Sequence, residues 1–200
     1  MDEVEREERR ATEERARNAA QLQALAEAAL AINSAASVGE VLRVVTEKAR
    51  EIVGAHQSAT SMTVDGNWAQ AINVVSLSDK YAAWREYDEK PDGSGIYRLV
   101  CQINRPLRMT QAELEGHHAW RGFGKAASKH PPMRGWLAAP LTWRHGRNIG
   151  LIQLSDKYEG DFAEEDEALL VQLAQIASVA IENVRSESRK TRRLRKSTGF

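Results

Sequence analysis

The chain has 200 residues, 42% hydrophobic and 28% charged, and its 28 basic and 28 acidic side chains cancel to a formal net charge of zero. Those values are ordinary for one globular domain with extensions. A single cysteine, Cys101, excludes an intramolecular disulfide and a multi-cysteine zinc site, while the lack of a roughly 20-residue apolar run or a signal-peptide core fits a cytoplasmic location.

In chain order, Val4, Ala11, Leu22, Leu25, Ala29 and Ile32 share one seven-residue register, interrupted by Glu8, Arg15 and Asn18. This predicts a coiled coil over residues 1–33 that strengthens toward the domain. After a small polar break at 33–39, Val41, Leu42, Val45, Ala49, Ile52 and Val53 define an amphipathic helix ending at Gly54. Residues 58–64 and 68–77 read as strands joined through Asp65-Gly66-Asn67. Tyr81, Trp84 and Tyr87 then fall on helical spacing, Asp92-Gly93-Ser94-Gly95 breaks the chain, and Ile96, Leu99, Val100 and Ile103 predict a short helix stopped near Asn104. Residues 106–109 return as a strand. Thr110 and Glu113 can cap another short helix, and the glycine-bearing segment 117–124 predicts an irregular lid or pocket wall.

The clearest local signal spans 135–184. Two apolar runs, 136–142 and 149–154, flank Arg144-His145-Gly146-Arg147, where Gly146 supplies the positive φ of a tight hairpin. A polar loop over 155–160 follows, and Asp161, three residues before Glu164, gives an N-capping pattern for a helix whose first turn is acidic. Leu170, Leu173, Ala177, Ala180 and Val184 form one seam of that helix, with Leu169, Ile176 and Ile181 beside it. One face is expected to cover a sheet and the other to meet a second helix. The tail over 185–200 is basic. With no groove-reading motif or stacking aromatics, it reads as a solvated helix continuation rather than a nucleic-acid or lipid contact.

From about Leu22 to Val184 the chain resembles the GAF domain family, the small sensory module of bacterial signalling proteins, phytochromes and cyclic-nucleotide phosphodiesterases. The most specific match is Asp156-Lys157, then Phe162, then Asp166-Glu167, which is similar to the family's Asn-Lys...Phe-x-x-x-Asp-Glu signature, with Asp156 where the family has asparagine. Physically, Lys157 can pair with Asp166 and clamp loop to helix, at about 1 kcal/mol or less for a partly exposed pair. Asp156, Lys157, Phe162, Asp166 and Glu167 are therefore given a structural role. The resemblance implies an α+β domain over 34–184, with a central antiparallel sheet of five or six strands, helices on both sides, and helical extensions at 1–33 and 185–200.

The resemblance also implies a ligand pocket over 81–133. Candidate lining residues are Tyr81, Trp84, Tyr97, Arg98, Cys101, His117, His118, Trp120, Arg121, Phe123, Met133 and Trp136, an aromatic and donor-rich set suited to a planar or anionic small ligand. The ligand and any cofactor stay unidentified. Relatives that attach a bilin commonly use a cysteine followed by histidine, whereas Gln102 follows Cys101, which argues against covalent bilin. Relatives that reduce free methionine sulfoxide need several cysteines, and no phosphate loop, nucleophile elbow or paired-carboxylate site is evident; the expectation is no catalytic residue and no metal site. The functional expectation is a non-enzymatic small-molecule sensor that signals through dimeric terminal helices to an output domain such as a histidine kinase or cyclase. The dimer is expected to be a parallel homodimer with Leu22, Leu25, Ala29, Ile32, Leu170, Leu173, Ala177, Ala180 and Val184 at its seam. A structural dimerisation module with a self-filled pocket and a haem-based sensor are the alternatives.

Overall fold

A 31-residue helix, α1 (Glu3–Asn33), is exposed over most of its length, and only its last turns meet the rest of the protein through Leu25, Ala28 and Ile32. The computed structural model describes residues 3–64, 67–86, 94–122 and 130–197. Asp65, Gly66, Tyr87, Asp92 and Gly93 lie outside those residues. Helix α2 (Val38–Val53) follows, capped by the Ser37 hydroxyl on Glu40 N at 3.2 Å and ended by Gly54 in the left-handed conformation. Val41, Leu42, Val45 and Ala49 bury its apolar stripe, as their spacing predicts.

Five strands, β1 (Ala55–Val64), β2 (Asn67–Leu77), β3 (Leu107–Met109), β4 (Trp136–Thr142) and β5 (Asn148–Lys157), form one antiparallel sheet in the order β2-β1-β5-β4-β3. Strand β1 starts three residues earlier than residues 58–64 imply, because Ala55 already pairs with Lys157. Strand β5 likewise runs through Ser155, Asp156 and Lys157, which the polar composition assigns to a loop. Those residues are held by pairing with β1 and by Asp156 N donating to Arg134 O at 2.9 Å. At the β4–β5 hairpin, Gly146 (φ 75°) donates to Trp143 O, and Trp143 N donates to Arg147 O, giving the turn its sequence demands.

Between β2 and β3, Asp79–Trp84 is a 3₁₀ segment rather than a regular helix, with Tyr81 turned out of helical backbone geometry. Helix α3 (Ile96–Ile103) ends on left-handed Asn104, whose side chain donates to Gly146 O at 2.8 Å and so ties the helix end to the hairpin tip. Helix α4 (Gln111–Gly116) has the expected capping box between Thr110 and Glu113.

Helix α5 (Glu164–Ser197) runs unbroken past 184. Its cap departs from the expectation for Asp161: Asp166 Oδ2 instead accepts the backbone N–H of Ala163 at 2.7 Å. The expected dimer seam is also corrected. Leu170, Leu173, Ala177 and Ala180 are buried in the protomer's own core with Leu25 and Ile32, and Val184 packs at its margin. The inner stripe is the more apolar one, and burying each of its large side chains contributes about 1.5–3 kcal/mol, so it turns to the sheet. Ala29 is half-buried, and Leu22 remains 67% exposed.

Helices α2 and α5 cover one sheet face, and α1 packs against both of them. Lys48 of α2 bonds Glu51 at 2.9 Å and feels the Glu27 charge of α1; with only residues 34–37 between the packed helices, α1 runs antiparallel to α2. Arg50 of α2 reaches Tyr158 Oη, just ahead of α5, at 3.2 Å, while Asn33 and Ala35 border a shallow notch with Ala180, Asn183 and Lys190. Helices α1 and α5 therefore run parallel, and their free ends leave the domain in opposite directions.

Candidate functional site

Among the described residues, the sheet face away from α2 and α5 is covered unevenly. Over β3, β4 and β5 a second core forms from Ile96, Val100, Leu114, Trp136, Ala138 and Leu151, flanked by Tyr97, Leu99, Cys101, Leu107, Met109, Trp120 and Met133. Over β1 and β2 the same face carries Gln57, Ala59, Ser61, Asn73 and Val75, because residues paired across antiparallel strands share a face: Ala59 lies between Val75 and Gln153, and Ser61 opposes Asn73. Ala59, Asn73 and Gln153 are partly accessible and Val75 is exposed. An alanine in an interior strand thus forms a depression bounded by amide side chains.

Those amides are oriented by their neighbours. Trp136 Nε1 donates to Gln153 Oε1 at 2.9 Å, Ser61 Oγ to Asn73 Oδ1 at 2.6 Å, and Gln57 Nε2 to Pro132 O at 2.7 Å. Sequence reasoning centred on 81–133 missed this floor. Its signal lies in polar residues at the positions of β1, β2 and β5 that alternate onto this face.

At the floor's edge, Asp156 adopts a left-handed backbone (φ 58°) and is buried. Its Oδ2 accepts Lys80 Nζ at 2.5 Å and Tyr81 Oη at 2.6 Å. Burial acts to raise the Asp156 pKa, but the Lys80 and Tyr81 hydrogen bonds and the Lys80 charge prevail and hold the carboxyl below its usual range. Burial, reinforced by the bond to Asp156, pushes Tyr81 up to about 12. His56 Nδ1 lies 2.7 Å from Ser78 Oγ, and burial, then the nearby Lys80 charge, lowers its pKa.

One residue further on, Lys157 Nζ meets Asp166 Oδ2 at 2.5 Å. The pair is largely buried, so it is less exposed than the clamp expected from sequence. Phe162 is buried beneath it, and Arg108 joins the motif by donating to Phe162 O at 3.3 Å and pairing with Glu167 at 3.4 Å.

The sequence-predicted pocket residues separate into three groups. Trp136, fully buried, is part of the second core, and Tyr97, Cys101, Trp120 and Met133 pack against it half-buried. Burial pushes the Cys101 thiol up to about 12, which leaves it a poor nucleophile at neutral pH. Tyr81 binds Asp156, and Trp84 meets Tyr81 edge-on at 5.6 Å. Arg98, His118 and Arg121 are exposed; the ring of His118 stacks on His117 at 4.5 Å, and His117 Nδ1 accepts Ala119 N at 3.1 Å. Phe123 lies outside the described residues. Among those described, no three His, Cys, Asp or Glu side chains come together as a metal site.

The family model for the GAF domain matches residues 37–181. Among similar solved structures is the GAF domain of a phosphoenolpyruvate-protein phosphotransferase from Coxiella burnetii, 20% identical, covering 84% of this chain and 96% of that one, with a TM-score of 0.67. The free methionine-R-sulfoxide reductase of Neisseria meningitidis, in complex with its substrate, is 14% identical over 84% of this chain and 91% of its own, with a TM-score of 0.65. A GAF domain assigned to a sensor histidine kinase of Pseudomonas syringae pv. tomato is 16% identical, covering 92% and 99%, at a TM-score of 0.60.

Proposed function

Because the chain belongs to the GAF domain family, we propose that it is a non-enzymatic sensor of a small molecule held over Ala59, on the β1–β2 half of the sheet. The observation carrying this reading is the uneven cover among the described residues: the second core fills the β3–β5 half, while Ala59, Asn73, Val75 and Gln153 are partly accessible or exposed. The absence of catalysis is part of the proposal and is supported by the raised Cys101 pKa.

In this reading the ligand state reaches α5 through β5, and α5 carries it to an output domain in cis, in the cytoplasm. The parallel course of α1 and α5, with free ends leaving in opposite directions, suits a module placed between input and output. A parallel homodimer would use the outer faces of these helices, where Leu22, Leu30 and Val179 are 67%, 71% and 51% exposed. The only described helix apolar and long enough by composition to cross a membrane, Glu164–Thr191, has much of its apolar surface in the core, which supports a soluble domain.

The test is ligand-dependent stabilisation. Gently purified protein is examined by native mass spectrometry for a retained small molecule, and a broad metabolite panel is screened by thermal shift. A bound species or a saturable rise in Tm that Val75→Trp abolishes is the expected result; the absence of both would sink the sensor reading. The burial of Trp136 and the packing of Trp120 favour one alternative, a structural module whose pocket is closed by its own side chains. That reading predicts no retained ligand and no stabilising compound.

A further inference from the structure

Resting on the sensor reading, the placement of Gln153 beside Ala59 and of Asn73 diagonally beyond it, opposite Ser61, specifies the ligand's chemistry. The indole Nε1 of Trp136 is only a donor, so the group it meets on Gln153 must be the amide oxygen, which turns the Gln153 NH₂ away from the tryptophan. The Ser61 hydroxyl donates to Asn73 Oδ1 and turns the Asn73 NH₂ outward in the same way. Neither amide nitrogen has a hydrogen-bond partner among the described residues. With strands about 4.8 Å apart and a two-residue offset at about 3.4 Å per residue, the backbones of the two residues stand about 12 Å from each other across β1. The side chains paired around Ala59, namely Gln57, Ser61, Asn73, Val75 and Gln153, carry no formal charge.

We infer that the depression over Ala59 takes an uncharged, carbonyl-bearing ring whose oxygens accept from Gln153 Nε2 and Asn73 Nδ2. A floor rich in amide donors favours acceptor oxygens. A carboxylate would lose its hydration there without gaining a cation from the floor, and a cationic group would face N–H donors rather than acceptors. This keeps the planar ligand of the sequence expectation and departs from the anionic one, whose donors Arg98 and Arg121 are exposed.

The experiment follows the side-chain NH₂ signals of Gln153 and Asn73 by ¹⁵N NMR while titrating uracil, its carboxylated analogue orotate, and guanidinium. Uracil is expected to shift both amides saturably, at least tenfold more tightly than orotate or guanidinium. Gln153→Glu and Asn73→Asp keep the oxygens that accept from Trp136 and Ser61 but delete the outward N–H donors, so each is expected to weaken uracil at least tenfold. The Trp136 indole N–H resonance reports that the fold is intact. Orotate or guanidinium binding as tightly as uracil, or no saturable uracil shift at the two amides, overturns the inference. A panel compound whose stabilisation Val75→Trp abolishes but which does not move these amides also overturns it while leaving the sensor reading standing; the sensor reading itself fails when no compound binds in that Val75-dependent way.

Discussion

Asp156 and Lys157 are adjacent in the chain, yet their side chains fasten opposite sides of the fold. Asp156 holds Lys80 and Tyr81 at the entrance of the segment leading toward α3, and Lys157 holds Asp166 in the first turn of α5. Plain alternation would put Asp156 on the face of Ile152 and Leu154; the left-handed backbone at Asp156 breaks that alternation and sends the two neighbours to different elements. Any movement of the Lys80–Tyr81 segment therefore bears on the residue preceding the helix clamp.

The Asp156 anchor predicts a pH dependence. Its folded pKa is depressed, so its contribution is fully present above the unfolded value of about 3.9 and is lost as pH falls from there through the folded pKa. Asp156→Asn keeps an acceptor for Tyr81 and tolerates the left-handed backbone, but removes the charge facing Lys80. Urea denaturation at pH 7 should show a loss of about 1–2 kcal/mol. The stability difference from wild type should shrink as pH is lowered below about 4; a difference that stays constant would contradict this account.

The Lys157–Asp166 clamp predicts unequal costs for its two partners. Lys157→Met removes the short bond to Asp166 and a long one to Asp161 O at 3.4 Å, and should cost about 1–2 kcal/mol. Asp166→Ala removes the short bond and also the acceptor for Ala163 N, so it should cost about 1 kcal/mol more. Chemical denaturation of both variants checks the order, and equal losses would mean that the helix-start bond contributes nothing.

Gly150 and Gly39 make a matched contrast. Gly150 has φ 152°, and a Cβ there would lie 2.0 Å from Ser61 O and 2.8 Å from Met62 Cα, both in backbone that is fixed by β1–β5 pairing. Gly150→Ala should cost about 3 kcal/mol. Gly39 lies in the first turn of α2 with nothing within 4 Å of the added Cβ, and Gly39→Ala should stabilise by up to about 1 kcal/mol. Thermal melts of the two proteins should move in opposite directions.

Features written in a few consecutive residues were the legible ones. Gly54, Gly146 and the Thr110–Glu113 box mark their own turns and caps, and Lys157 stands close enough to Asp166 for the clamp to be anticipated. The site was harder to read because its contacts cross the chain. Asp156 meets Lys80 and Tyr81 from 76 and 75 residues away, and the amide floor assembles only once the strand order is known. Apolar and aromatic content pointed to Trp120, Met133 and Trp136 as ligand contacts, yet large apolar groups also gain most from burial, and here Trp136 lies in the second core with Trp120 and Met133 packed against it. Heptad spacing similarly identifies an apolar stripe without identifying whether its partner is another chain or the protein's own sheet.

The inner and outer stripes of the terminal helices can be separated by mutation. Leu173 is fully buried in the core, so Leu173→Ala should cost about 2–5 kcal/mol through the cavity it leaves, whatever the oligomeric state. Leu22 and Leu30 lie on the outside of α1 and contribute little to the protomer. Changing both to glutamate should leave urea stability of the protomer within about 0.5 kcal/mol, while placing like charges on the proposed dimer surface. Sedimentation equilibrium at micromolar concentration is expected to give a dimer for the wild type and a monomer for Leu22→Glu/Leu30→Glu. A wild-type monomer removes the dimer from the signalling scheme, whereas a double variant that remains dimeric moves the contact to another surface, with the exposed Val179 face of α5 the next to test.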